Sequence, residues 1–182
     1  MKLGYKLLFV LLCFCSLTAC SQAPILKEEK PAVMHYDGFK NKDNVFLKAD
    51  CKDLFKTMEE KKDGIFYFGF ANCPWCVQIL PTLNQVAKDK QIKISYIETR
   101  NSKNEMLLSD KELEKTINLL EDKLECDEEG KKHIYVPFVI QIKDGIVIKS
   151  HLGSVENHDA HERDMTKEEQ IELEKIYIKL LS

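Results

Sequence analysis

Ile65-Phe66-Tyr67-Phe68-Gly69-Phe70-Ala71-Asn72-Cys73-Pro74-Trp75-Cys76 is the stretch on which the fold turns. The unbroken apolar run after Gly64 predicts a strand covered on both faces, as parallel and mixed sheets require. A helix is expected from Pro74 to about Lys88. Pro74 suits the first helical position, where its missing N–H would have no partner anyway. The two cysteines therefore stand between a buried strand and a helix start. At this spacing they can close a disulfide across one helical turn, the first facing solvent and the second partly covered. A thiolate at Cys73 would lie at the positive end of the helix dipole, beside amides without intrahelical partners. Both effects lower its pKa below the free value of about 8.5. Cys73 is then the nucleophile that attacks a substrate disulfide, and Cys76 resolves the mixed disulfide. A structural zinc site is the rival reading, but it wants a second Cys-x-x-Cys or a Cys/His partner set. The sequence contains no second Cys-x-x-Cys.

Working outward, strand-like and helix-like segments alternate. Val45-Phe46-Leu47 reads as a short strand, and Asp50 caps a helix carrying Leu54, Phe55 and Met58 on one side. Ile92 to Ile97 alternates with period two and reads as a strand. Ser109 and Glu112 form a capping-box pattern for a helix to Leu124, with Leu113, Ile117, Leu120 and Leu124 on one face. Tyr135–Ile142 and Ile146–Lys149 bracket Asp144-Gly145, a strong hairpin signal. Thr166 and Glu169 open the last helix, whose Ile171, Ile176, Tyr177 and Leu180 should face the sheet. The order β-α-β-α-β-α-β-β-α predicts an α/β fold around a central mixed sheet flanked by helices.

The 182 residues suit one domain, and 27 Lys+Arg against 30 Asp+Glu give a net charge of −3. That balance excludes a nucleic-acid binder held by a basic face. Lys2 and Lys6 precede an apolar run from Leu7 to Leu17, which matches a secretory signal. Leu17-Thr18-Ala19-Cys20 resembles the lipobox of bacterial lipoproteins, in which the cysteine is acylated. We expect residues 1–19 to be a signal peptide, 20–43 a tether lipid-anchored through Cys20, and 44–182 the domain. The domain would then work on the outer face of the bacterial cytoplasmic membrane, where disulfides persist.

Phe68 to Pro81 resembles the thioredoxin superfamily, and its Cys-Pro-aromatic-Cys form looks most like glutaredoxins. The whole outline, with its lipobox and an extended segment before the final hairpin, resembles lipoprotein thioredoxins of the bacteriocin-transport accessory type. The resemblance implies a thioredoxin fold over about residues 44–182. It also implies a helix kink at Pro81, a family glycine at Gly153 and a cis-proline at Val136-Pro137 facing the cysteines. Pro74, Trp75, Val136 and Pro137 would line the substrate groove, and the Val136 backbone could pair with an extended substrate segment. It implies a thiol–disulfide oxidoreductase needing no external cofactor, acting on protein dithiols or disulfides and served by a redox partner protein in the membrane. One position departs from the family. Where thioredoxins carry a buried acid, six residues before the first motif cysteine, this chain has Tyr67, a poor base at neutral pH. Glu98 is a candidate substitute, with a solvated surface role as the alternative.

Cys51 and Cys126 are either a second disulfide or free thiols, one buried and one exposed. His158 and His161, close to His151, could present imidazoles to a metal, but their segment reads as a solvated loop, and no metal is expected. The mixed-charge run Glu121–Lys132 reads as an exposed linker, and Trp75 should be exposed beside the cysteines. Two other functional classes fit parts of this pattern. One is a non-catalytic accessory module for protein export or binding, the other a metal-handling lipoprotein.

Overall fold

The computed structural model describes residues 30–32, 34–39 and 44–182. The signal-peptide and lipobox readings, Cys20 included, lie outside the described residues. Five strands form one sheet in the order β1-β3-β2-β4-β5. These are β1 (Phe46–Ala49), β2 (Gly64–Gly69), β3 (Ile94–Glu98), β4 (Phe138–Lys143) and β5 (Ile146–Leu152). β1, β3 and β2 run parallel, while β4 pairs antiparallel with β2 and β5 with β4. The helices are α1 (Cys51–Glu59), α2 (Pro74–Asp89), α3 (Asp110–Leu120) and α4 (Lys167–Leu180). A single 3-10 turn, Glu121–Lys123, ends α3 short of the expected Leu124.

The apolar run of β2 splits by strand alternation. Ile65 and Tyr67 join the core beneath α2 and α4. Phe66 and Phe68 join the one beneath α1 and α3. This is why the run carries no polar position: both faces are roofed. Asp50, Ser109 and Thr166 cap α1, α3 and α4, each within a capping box. Asp144 (φ 51°) and Gly145 (φ 77°) form the β4–β5 turn, with the positive φ at both central residues that a type I′ hairpin needs.

Three expectations are corrected. Residues 20–43 are not a tether throughout. Pro31 bridges Leu47, Ala32 N–H donates to the Phe46 carbonyl at 2.9 Å, and Ala32, Met34 and Tyr36 are buried. The segment lies along the outer edge of β1 and turns alternate side chains inward, so the domain begins no later than residue 30. On α4, Ile171 is half exposed, and Leu173, Tyr177 and Leu180 are the buried positions. The buried face is set by the i, i+4, i+7 row from Leu173, and Ile171, two residues away, falls on the opposite side of the helix. The 121–132 run is a built turn, in which Asp127 accepts from the Glu129 and Lys131 backbone amides and touches His133 at 2.6 Å. Among the described residues no helix is long and apolar enough to cross a membrane.

Candidate functional site

β2 ends at Gly69 at the upper edge of the sheet, and a tight turn through Asn72 delivers the chain to α2. Asn72 Nδ2 donates to the Ser102 carbonyl at 2.9 Å, tying that turn to the loop after β3. Cys73 is the N-cap of α2, with extended backbone, and its Sγ accepts the Cys76 backbone N–H at 3.2 Å. A sulfur thus takes the place usually held by a Ser or Asp oxygen, so one helix-start donor is spent on the thiol. Pro74 occupies the first helical turn, as its sequence position predicts.

Across the site the Val136–Pro137 peptide bond is cis. The Cys73 thiol donates to the Val136 carbonyl at 3.8 Å, a long sulfur contact that brings the two segments together. Gly153, at φ 77°, donates its N–H to the Pro137 carbonyl at 2.9 Å and holds that strand entry from β5's end. Beside Val136 lies a cavity of about 250 Å³ whose lining includes Met106, Leu108, Ile117 and Tyr135, with Arg100 and Lys131 also present. A separate cavity of about 450 Å³, lined by Tyr96, Glu98 and Cys51, includes none of the motif residues. We assign the site by the Cys73/Cys76 pair, because neither cavity's lining includes either motif cysteine.

The two thiols are electrostatically unlike. A hydrogen bond from the Cys76 thiol, with backbone N–H groups of Cys76 and Trp75, holds the Cys73 thiol below its ordinary pKa against the opposing cost of burial. Burial chiefly, then Cys73 itself, pushes the Cys76 thiol well up. The two sulfurs are thus biased in opposite directions, Cys73 toward the thiolate and Cys76 toward the thiol. The expected exposures, with Cys73 facing solvent and Cys76 partly covered, are corrected. Cys73 is 3% exposed and Cys76 fully covered. The loop between β5 and α4 provides part of this cover. Trp75 is half-buried, its Nε1 donating to the His158 carbonyl at 3.5 Å and its ring meeting the His161 ring edge-on at 4.7 Å. The expectation of an exposed Trp75 is corrected accordingly.

His158 is not a solvated loop residue. It is buried, with Nδ1 on Ser154 Oγ at 2.8 Å and Nε2 on the Arg163 carbonyl at 3.1 Å. Both ring nitrogens are engaged, so the imidazole has no lone pair to offer a metal. Among the described residues no group of three or more His, Cys, Asp or Glu could hold one. The second-disulfide reading of Cys51 and Cys126 is corrected too. Both are free thiols, Cys51 buried against Thr116 Oγ1 at 3.6 Å and Cys126 exposed in the turn. Packing explains the separation: Cys51 opens α1 and is covered by α3, whereas Cys126 lies beyond the end of that helix.

Sequence reasoning flagged Tyr67 and missed its company. Tyr67 is fully buried in the same cluster as Cys76, and its hydroxyl pulls the Cys76 pKa down against the larger effect of burial. Tyr36 Oη lies 3.2 Å from Tyr67 Oη and 3.1 Å from Tyr96 Oη. Tyr67 and Tyr96 are register partners on neighbouring strands, with rings stacked at 5.4 Å. A tyrosine on the inward-facing side of each of two adjacent strands was the available signal. Glu98 is exposed, near enough to raise the Tyr96 pKa after the larger effect of burial.

The topology and this motif define a thioredoxin-type fold, a mixed five-stranded sheet between helix pairs with a Cys-x-x-Cys at the start of the second helix. No family model matches the chain. Its structure is similar to thioredoxin O2 of Arabidopsis thaliana in the oxidized state, at 15% identity over 76% of this chain and 96% of that one, TM-score 0.44. It is also similar to thioredoxin from Aeropyrum pernix, at 19% identity over 56% and 70% of the two chains, TM-score 0.37. A third likeness is to an uncharacterized thioredoxin-like protein from Clostridium perfringens, at 19% identity over 81% and 91%, TM-score 0.38.

Proposed function

We propose that the protein is a thiol–disulfide oxidoreductase, a lipoprotein of the bacteriocin-transport accessory type held through Cys20 on the outer face of a bacterial cytoplasmic membrane. The observation that carries the reading is the paired asymmetry of the motif: Cys73 at a helix start with its Sγ on the Cys76 N–H and its pKa lowered, Cys76 fully buried with its pKa raised. In the reducing direction the Cys73 thiolate attacks a substrate disulfide, forming a Cys73–substrate bond and releasing one substrate thiolate. Cys76 then gives up its proton and attacks Cys73 Sγ. The Cys73–Cys76 disulfide closes, and the second substrate thiol leaves with the bond's electron pair. The oxidising direction is the reverse. The Val136 backbone, with Pro74, Trp75 and Pro137 around it, offers an extended substrate segment a strand partner. The cavity beside Val136 accepts one of that segment's side chains. Substrates are proteins, electrons pass to or from a membrane redox partner, and the exchange itself uses no cofactor and no nucleic acid.

The test is the reduction potential of the Cys73/Cys76 couple, followed by Trp75 fluorescence across a glutathione or dithiothreitol series. A value near about −120 mV marks a disulfide donor, and one near about −270 mV a reductant. Absence of any two-electron thiol couple contradicts the proposal and leaves a thioredoxin-like accessory module in its place.

A further inference from the structure

We infer that the hydroxyls of Tyr67, Tyr36 and Tyr96 form a proton relay that carries the Cys76 proton out of the core; this rests on the oxidoreductase reading above. Resolution of a mixed disulfide requires Cys76 to lose its proton, yet Cys76 is fully covered. A buried thiol cannot release a proton to bulk water directly, so some polar group must take it. Tyr67 shares the buried cluster of Cys76, and its hydroxyl lies close enough to the thiol for each to shift the other's pKa. From there the chain of oxygens is continuous, Tyr67 to Tyr36 at 3.2 Å and Tyr36 to Tyr96 at 3.1 Å. Tyr96 lines the 450 Å³ cavity, whose lining also holds the carboxylate of Glu98 and the imidazole of His35.

Hydroxyls suit a relay because each both donates and accepts. Tyr67 oxygen accepts the Cys76 proton as its own passes to Tyr36, that of Tyr36 passes to Tyr96, and that of Tyr96 passes to the Glu98 carboxylate at the cavity, which ends protonated. Every tyrosine ends neutral, as burial demands. The electron pair left on Cys76 sulfur forms the new S–S bond, and the substrate sulfur leaves reduced.

The strand makes room for this network. A Cβ at Gly69 would collide with the Tyr67 hydroxyl and stand 2.8 Å from that of Tyr36. The Gly69 carbonyl, 3.5 Å from Tyr96 Oη, accepts from its far end. The titratable groups facing Cys76 come from every side: Cys73 on α2, Tyr67 on β2, Tyr36 on the N-terminal segment, Tyr96 on β3, and Tyr177 on α4. The Tyr177 hydroxyl is buried without a hydrogen-bond partner and is no link in the chain. Tyr67 acts on a reacting atom, while Tyr36 and Tyr96 act through it.

The experiment uses the full chain in detergent with Cys126→Ser, mixed rapidly with 5,5′-dithiobis(2-nitrobenzoate). The first released thiolate reports attack by Cys73, and the second reports resolution by Cys76. Tyr36→Phe should leave the first phase unchanged and slow the second by about tenfold or more, below the full range of positioned proton transfer. The second phase of the parent should show a curved proton inventory in H₂O/D₂O mixtures, and Tyr36→Phe a linear one. Tyr96→Phe, at the far end, serves if Tyr36→Phe does not fold, with the same expectation. A second phase that keeps the parent's rate and inventory overturns the relay, as does a variant that slows both phases equally. A parent with no first phase fails the oxidoreductase reading itself, a result distinct from either.

Discussion

Replacing Cys76 by Ala should cost Cys73 much of its readiness to attack, and the size of the loss follows from the geometry. The Cys76 thiol is the largest single influence holding the Cys73 thiolate down, ahead of the backbone donors. The Cys76 N–H, at 3.2 Å, survives the change, so only the side-chain hydrogen bond is lost. A hydrogen bond to a charged group contributes about 1.5–3 kcal/mol. At 1.36 kcal/mol per tenfold, that corresponds to roughly 10- to 100-fold less thiolate at any pH below the pKa. A thiolate of higher pKa is the better nucleophile, with a Brønsted slope of about 0.4–0.5, which recovers near half of the loss on a logarithmic scale. The net effect is an attack rate about three- to tenfold lower at pH 5–6. The assay is stopped-flow reaction with dithiodipyridine from pH 4 to 9, in a Cys126→Ser background. Cys76→Ser restores a donor and should recover most of the rate. Equal rates for the parent, Cys76→Ala and Cys76→Ser would refute the reasoning and leave the helix start as the sole source of activation.

Gly69→Ala places a methyl group against the Tyr67 and Tyr36 hydroxyls and should destabilise the fold by about 1–3 kcal/mol, read as a lower urea midpoint. Leu173→Ala, at a position with no solvent exposure, should cost about 2–5 kcal/mol in the same assay, whereas Ile171→Ala, half exposed, should cost far less. Glu169, bonded by Arg163 and by the Thr166 amide, has its pKa lowered to about 2 in the fold. A depressed carboxylate contributes stability present above its unfolded pKa of about 4.3 and lost as pH falls through the folded value. The difference in Tm between the parent and Glu169→Gln should therefore be constant above about pH 5 and shrink progressively as pH falls from about 4 through 2. A difference unchanged from pH 5 down to pH 2 would contradict this. Ser154→Ala leaves the buried His158 Nδ1 without its 2.8 Å partner and should cost about 1–3 kcal/mol, with a shift in Trp75 emission because the His158 carbonyl supports the indole.

Much of this architecture was legible because local and global demands coincide. The β2 run must be apolar throughout since both its faces are roofed, Asp50 and the capping boxes at Ser109 and Thr166 mark α1, α3 and α4 by direct hydrogen bonds, and Asp144-Gly145 suits the two-residue turn that joins β4 to β5. The motif was legible for the same reason, since Pro74 and Cys73 satisfy the start of α2 while setting up its chemistry. What escaped the sequence depends on long-range neighbours. Ala32, Met34 and Tyr36 alternate over too few positions, between prolines and charges, to signal a paired segment; the outer edge of β1 decides their fate. His158 carries no hydrophobic pattern, and its burial follows from Ser154 and the Arg163 carbonyl, which only the folded loop assembles. Ile171 and Leu173 are both good core residues, and the direction in which α4 docks on α2 selects between them. The covering of Cys73 by the Val136 side of the groove is likewise a property of two segments 63 positions apart.

The most direct test of the central claim is to trap the mixed disulfide. Full-length Cys76→Ser, incubated with a disulfide-containing peptide and mapped by mass spectrometry, should carry the peptide on Cys73 and leave Cys51 unmodified. Cys73→Ser should carry none at the motif. A peptide found on Cys126 alone, with Cys73 unmodified, would contradict the account.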